Sequence, residues 1–233
     1  MDNLFIKYMS DRAKKPVLND GNVENPGPVI TISRQYGCPG ERIAAKLAQA
    51  LSAVVQGNEN PLEWRWISKE ILEDSAKQLK LAPSLANDIK EYRLHSFMDH
   101  LTLFFSNDFY PSDTKVMSTI AKVIHAAASQ GHVVILGRAA ESITQTIPKS
   151  LHFKLEAPLD WRAKEVSKSH AVAYNEAKTD CIEEDKRRAE FRDYFESGKP
   201  DIDFFDATFN TKTLNDEEII SMILKLAKKK GLM

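Results

Sequence analysis

Ser33, Arg34, Gly37 and Gly40 fall within one eight-residue stretch, Ser33-Arg34-Gln35-Tyr36-Gly37-Cys38-Pro39-Gly40. Together they supply a hydroxyl, a guanidinium and two backbone positions without side chains, a set suited to holding a phosphate. Val29 to Ile32, apolar or β-branched, precede the stretch, and Ile43, Ala44 and Leu47 follow at helical spacing. A strand, a glycine turn and a helix N-terminus in that order aim backbone N–H groups at an oxyanion. The pattern G-x-x-x-x-G-K-[ST] adds a lysine that reaches the outer phosphates. Here Gly40, Glu41 and Arg42 stand where that lysine and its followers belong. Arg34 in the turn and Arg42 in the first helical turn bring positive charge instead. A cation at a helix N-terminus opposes the helix dipole by about 0.3–1 kcal/mol in exposed sites. A bound anion would reverse that penalty. Gly37-x-x-Gly40 alone is equally an ordinary strand-to-helix turn.

The elements that would position this turn alternate in type. A helix is expected over 40–54, ended by Gly57-Asn58-Glu59-Asn60-Pro61, and a short extended piece at Trp64 to Ile67. Helical spacing resumes from Ser68, is interrupted at Pro83, and continues over 84–107; a further helix spans 113–130 and closes at Gly131. Val133-Val134-Ile135-Leu136 is a continuous apolar run, as in a strand buried on both faces of a parallel sheet. A helix through 138–146, a strand at 151–155 and a last strand at 205–210 follow. The final helix, 216–230, has Asn215 as cap and Glu218 at N3. The expected fold is α/β, a parallel doubly wound sheet.

Residues 159–200 are charged and nearly free of strand signals, with helices expected at 159–170 and 180–196. Asp180 with Glu183 reads as a capping box, and Glu183–Arg187 and Glu184–Arg188 as i,i+4 pairs. Two readings stay open: a solvated helix pair, or a lid carrying arginine over a phosphoryl group.

Composition narrows the function classes. With 233 residues the chain can form one large α/β domain. A net charge of −1 gives no overall field to recruit nucleic acid or a membrane surface. Two cysteines, Cys38 and Cys181, are too few for a disulfide framework. No run of 18 apolar residues suggests a spanning helix, and residues 1–20 lack the apolar core of a secretion signal. A cytoplasmic protein is expected, and a homodimer is left open.

Four segments in order resemble the cytidylate kinase-like family of the P-loop nucleoside monophosphate kinases. They are the strand into Ser33-Arg34-Gln35-Tyr36-Gly37-Cys38-Pro39-Gly40; the strand ending Gly137-Arg138; Asp185-x-x-Arg188-x-x-Phe191-x-x-Tyr194; and Phe205-Asp206-Ala207-Thr208-Phe209-Asn210-Thr211. The resemblance implies a P-loop NTPase-like domain over 29–233 behind an N-terminal arm (1–28). A helical acceptor-binding insert would lie near 64–112 and a helical lid near 159–200. It implies ATP as donor with Mg²⁺, and a small phosphorylated acceptor such as a nucleoside monophosphate. Ser33, Arg34, Gly37, Cys38, Gly40, Glu41 and Arg42 would bind the donor. Arg138, Asp185 and Arg188 would bind the acceptor, with Arg34, Arg138 and Arg188 neutralising charge during transfer. Arg192 lies one turn further along the same helix face and is a weaker candidate.

The chain departs from the family pattern at Gly40 for the P-loop lysine, Ala139 for an acidic residue, Cys181-Ile182 for Arg-Asp, and Ser68 for Asp. Cytidine specificity is therefore not carried over. Arg34 is the first candidate to replace the lysine and Arg42 the second. The alternative is an inactive nucleotide- or phosphate-binding module of the same fold. No protein metal site is expected: His95 and His100 are spaced five apart, not the four of a helical zinc pair. Trp64, Trp66, Phe97, Phe104 and Phe105 read as packing for the insert. Cys38, near a helix N-terminus, is a remote candidate for an activated thiol.

Overall fold

Val29–Arg34 (β1), Arg65–Ile67 (β2), Val133–Leu136 (β3), Ser150–Glu156 (β4) and Ala207–Asn210 (β5) form one sheet in the order β2-β3-β1-β4-β5, every pair parallel. The structure, a computed structural model, describes residues 27–55, 63–68 and 114–233. Most of the expected arm (1–28) and insert (64–112) lie outside the described residues, as do Phe97, Phe104, Phe105, His95 and His100.

Both sheet faces are covered, which is why the strands carry apolar residues on both sides rather than alternating with polar ones. One face packs Ile30, Ile32, Val134, Leu136 and Phe153 against Gly40–Val55 (α1) and Asp216–Lys229 (α6). The other packs Val29, Val133 and Ile135 against Thr114–Gln130 (α2) and Ala140–Ile143 (α3). Leu159–His170 (α4) and Tyr174–Glu196 (α5) pair with each other through Ala163, Val166, Ala177 and Cys181. Among the described residues no helix is long and apolar enough to cross a membrane.

The Asn215–Glu218 capping box forms as expected, with Asn215 Oδ1 accepting from the Glu218 amide at 2.9 Å and Glu218 Oε2 from the Asn215 amide at 2.8 Å. Three expectations need correction. The helix expected over 138–146 is only Ala140–Ile143, because Gly137, Arg138 and Ala139 all have left-handed backbones (φ 76°, 61° and 51°). The helix expected to start at 180 starts at Tyr174, so Asp180 and Glu183 lie mid-helix and form no cap. The last strand begins at Ala207, since Asp206 turns its carboxylate to the His152 amide at 2.8 Å.

Candidate functional site

In an open parallel sheet, ligands bind beyond the carboxyl ends of the strands, where successive connections leave in opposite directions. From β1 the chain proceeds to β2 and β3 on one side; from β4 it proceeds to β5 on the other. The switch point therefore lies between β1 and β4, with Ser33 opposite Lys154 in register. A cleft of about 870 Å³ opens there, between the ends of β1, β3 and β4 and one face of α5. Glu184, Arg188, Phe191 and Arg192 share that face by helical spacing. Among the described residues, six cations line the cleft (Arg34, Arg138, Lys154, Arg187, Arg188, Arg192) against three carboxylates (Glu184, Asp185, Glu190). The excess suits an anionic ligand.

Aromatic rings hold several of these cations in place. The Arg138 guanidinium lies 5.2 Å from the centre of the Phe191 ring, Arg188 5.4 Å from Tyr36, and Arg192 5.9 Å from Phe205. Arg138 also sits on a left-handed backbone beside a second non-glycine in that region, Ala139. Each such residue costs on the order of 1 kcal/mol. Such strain persists where surrounding structure imposes it, often at binding sites.

The turn and the α4–α5 helix pair are clamped together. Asp185 accepts from the Tyr36 amide (2.7 Å) and from Arg162 Nη1 (2.7 Å). Arg162, almost fully buried on α4, also donates to the carbonyls of Tyr36 (2.8 Å) and Ala157 (2.9 Å). Arg188 Nη1 donates to the Arg34 carbonyl at 3.0 Å. One turn amide thus does meet an oxyanion, but it is the chain's own carboxylate.

Of the residues expected to bind ligand, Ser33, Arg34, Arg138, Asp185 and Arg188 line the cleft. Gly37, Cys38, Gly40, Glu41 and Arg42 do not. Gly37, at φ 86°, lies against α4, where a Cβ would come within 3.0 Å of Arg162. Gly40 lies under the stem of Arg34, whose head crosses Gly137 so closely that a Cβ there would sit 2.2 Å from Nη1. The glycines let Arg34 and α4 approach the backbone. Arg42, the second choice to replace the lysine, makes a two-point bond to Asp216 (2.6 and 3.1 Å) on the first turn of α6. Its unfavourable place at a helix start is thus compensated internally. Glu41 is exposed beside it. The Cys38 thiol faces the Thr211 hydroxyl at 3.4 Å, and burial pushes its pKa up, which removes it as an activated thiol. Glu184, expected to pair with Arg188, pairs instead with Arg187 at 2.7 Å, leaving Arg188 turned inward.

Three residues of this region had no motif to reveal them. Arg162 and Lys154 lie in segments that read as a helix and a plain strand. Glu141, fully buried on α3, has no side-chain hydrogen-bond partner for either carboxylate oxygen among the described residues. Burial lifts its pKa to about 7, with its own backbone amide and nearby Arg192 lowering it and Glu196 and Asp201 raising it. Among the described residues no cluster of three or more His, Cys, Asp or Glu could hold a metal ion.

The family model described as cytidylate kinase-like matches residues 29–213, so the chain belongs to the cytidylate kinase-like family. The crystal structure of an uncharacterized protein from Eubacterium ventriosum superposes with a TM-score of 0.60 at 20% identity, covering 87% of this chain and 98% of that one. That likeness is one of fold. The crystal structures of APE1195 (13% identity, 88% and 97% of the two chains) and of TT1252 from Thermus thermophilus (15%, 86% and 97%) give TM-scores of 0.46 and 0.41. No curated protein matches in sequence.

Proposed function

We propose that this member of the cytidylate kinase-like family is an ATP-dependent phosphotransferase. It would move the γ-phosphoryl group of ATP to a small phosphorylated acceptor, with nucleoside monophosphates the class to test first. The observation that carries this reading is the convergence of Arg34, Arg138 and Arg188 on one cleft at the switch point of the sheet.

Phosphoryl transfer demands positioning and charge neutralisation more than covalent participation by the protein. An acceptor phosphate oxygen attacks the γ-phosphorus in line. The bond from that phosphorus to the β,γ-bridging oxygen breaks, and ADP leaves with its electron pair. A fully ionised acceptor phosphate has no proton to lose. Arg138, fixed by Phe191 at the end of β3, would grip the acceptor phosphate. Arg34 and Arg188, on opposite walls, would neutralise charge on the transferred group, and α5 would limit access of water to it. Guanidinium groups suit the task because they stay charged and bind phosphate oxygens in pairs. Mg²⁺ is ordinarily held by phosphates plus one or two carboxylates, which fits a cleft with no dedicated metal cluster, and it would neutralise the donor phosphates. Glu190 is the available carboxylate, since its pairing with Lys186 is loose at 3.9 Å.

One observation favours a second reading, a nucleotide- or phosphate-binding module without turnover: Asp185 already occupies the Tyr36 amide. Thermal unfolding with ATP, ADP and four nucleoside monophosphates, with and without Mg²⁺, followed by an ADP-release assay, separates the two. Stabilisation with turnover supports the enzyme. Stabilisation without turnover supports the module, and no shift with any nucleotide refutes both.

A further inference from the structure

Among the described residues Lys154 is the one lysine lining the cleft, and it belongs to no motif. It sits on β4 directly opposite Ser33 of β1, so both flank the switch point. Its ammonium is paired with Glu156 at 2.6 Å and with Asp201, and lies 5.8 Å from the centre of the Phe205 ring. The side chain is only 13% exposed, so the head is held rather than swinging in solvent. Burial works against its charge, but the two carboxylates outweigh that and raise its pKa, so the group is an ammonium at neutral pH.

An ammonium has three donors. Two are directed at Asp201 and Glu156, and the third has no partner among the described residues. Asp201 in turn lies 3.5 Å from Arg192 Nη1, and Arg192 is 3.9 Å from Glu196. This chain of alternating charge ties the end of β4 to the lid. It fixes the lysine at the junction of sheet and lid, where the charge of a transferred phosphoryl group would develop.

Resting on the phosphotransferase reading, we infer that Lys154 is the phosphate-binding ammonium of this protein, delivered from the end of β4 in place of the lysine missing at Gly40. The same charge reaches the same cleft from the strand on the other side of the switch point. A phosphate oxygen takes the third donor, while Glu156 and Asp201 keep the head in position. Arg42 is not free to do this, being held by Asp216.

Binding of ATP and of inorganic tripolyphosphate to the full-length protein is measured by calorimetry for wild type, Lys154→Met, Lys154→Arg and Asp201→Asn, with unfolding curves for each. A hydrogen bond to a charged group corresponds to a loss of about 10- to 100-fold on removal. Lys154→Met is expected to lose that much affinity for both ligands, with partial rescue by Lys154→Arg. Asp201→Asn should bind both as well as wild type or better, because the amide oxygen still accepts from the ammonium and keeps the head in position while a competing negative charge is gone. Wild-type affinity in folded Lys154→Met overturns the assignment while leaving the phosphotransferase reading intact. Equal losses in Lys154→Met and Asp201→Asn also overturn it, since the lysine is then a strut for the 201–203 turn. Absence of binding by wild type overturns both readings together. If Lys154→Met does not fold, Lys154→Gln, which keeps a polar head without the charge, decides: a loss in the same range supports the assignment, and unchanged affinity for both ligands overturns it.

Discussion

The back of the glycine turn and the cleft-facing side of α5 handle charge in different ways. Behind the turn, each irregularity is answered by the chain itself: Arg42 by Asp216, Gly37 by the approach of α4, Gly40 by the stem of Arg34. Across the cleft, among the described residues, six lining cations meet three lining carboxylates, and Arg138, Arg188 and Arg192 lie over aromatic rings, Arg192 also near Asp201 and Glu196. One region balances its charge locally and the other carries an excess of positive charge along its lining. A turn that reads as a phosphate cradle can thus serve mainly to place one arginine, while the cationic cleft lies beside it.

The contrast can be broken most forcefully at Arg162, which joins the two regions. Arg162→Ala leaves Asp185 without its ion-pair partner and the carbonyls of Tyr36 and Ala157 without the arginine's donors. Removing one member of a buried ion pair is expected to cost about 3–5 kcal/mol, read from urea unfolding. A loss below 1 kcal/mol would show that the α4–α5 pair is not clamped to the turn in solution.

Glu141 comes next in magnitude. Its folded pKa of about 7 lies above its ordinary 4.5, so the native state favours the neutral form. Its contribution to stability is full below pH 4.5 and is lost as pH rises through 7. Relative to Glu141→Gln, wild type should lose about 3 kcal/mol between those limits and pH 8. Parallel stability curves for the two proteins would place an unseen donor on the carboxylate.

Arg138→Ala is expected to weaken acceptor binding by roughly 30-fold, about 2 kcal/mol, with ATP affinity retained. Equal losses for both ligands would move Arg138 from the acceptor to a shared position. Gly137→Ala should cost on the order of 1 kcal/mol of stability for its left-handed backbone and should also weaken ATP binding by displacing Arg34. Unchanged ATP affinity there would detach Arg34 from the site. At the small end, Arg42→Ala removes a pair in which the arginine is 63% exposed, so stability should change by less than about 1 kcal/mol and ATP binding not at all. A large loss of ATP affinity would reopen the back of the turn as a binding surface.

The sheet was legible because its strands obey burial on both faces, and α6 because its capping box is local. Arg34, Arg138 and Arg188 were legible from their place at strand ends and in a spaced motif. What escaped was non-local. Nothing in the sequence near Gly137 announces three successive left-handed residues, since two of them are Arg138 and Ala139. The α5 face toward the cleft is mostly charged, with Phe191 its one ring, so it reads as a solvated surface. Lys154 gains meaning only from its register with Ser33, and Arg42 loses its assigned role only because Asp216 arrives from far along the chain.

Calorimetric titration of ATP into wild type and into the Arg34→Ala/Arg188→Ala double variant tests most directly whether the guanidinium-lined cleft binds the donor. Saturable binding by wild type with a loss of roughly 100-fold or more in the folded variant is the predicted result. The same affinity in both proteins, or no heat with wild type, would contradict it.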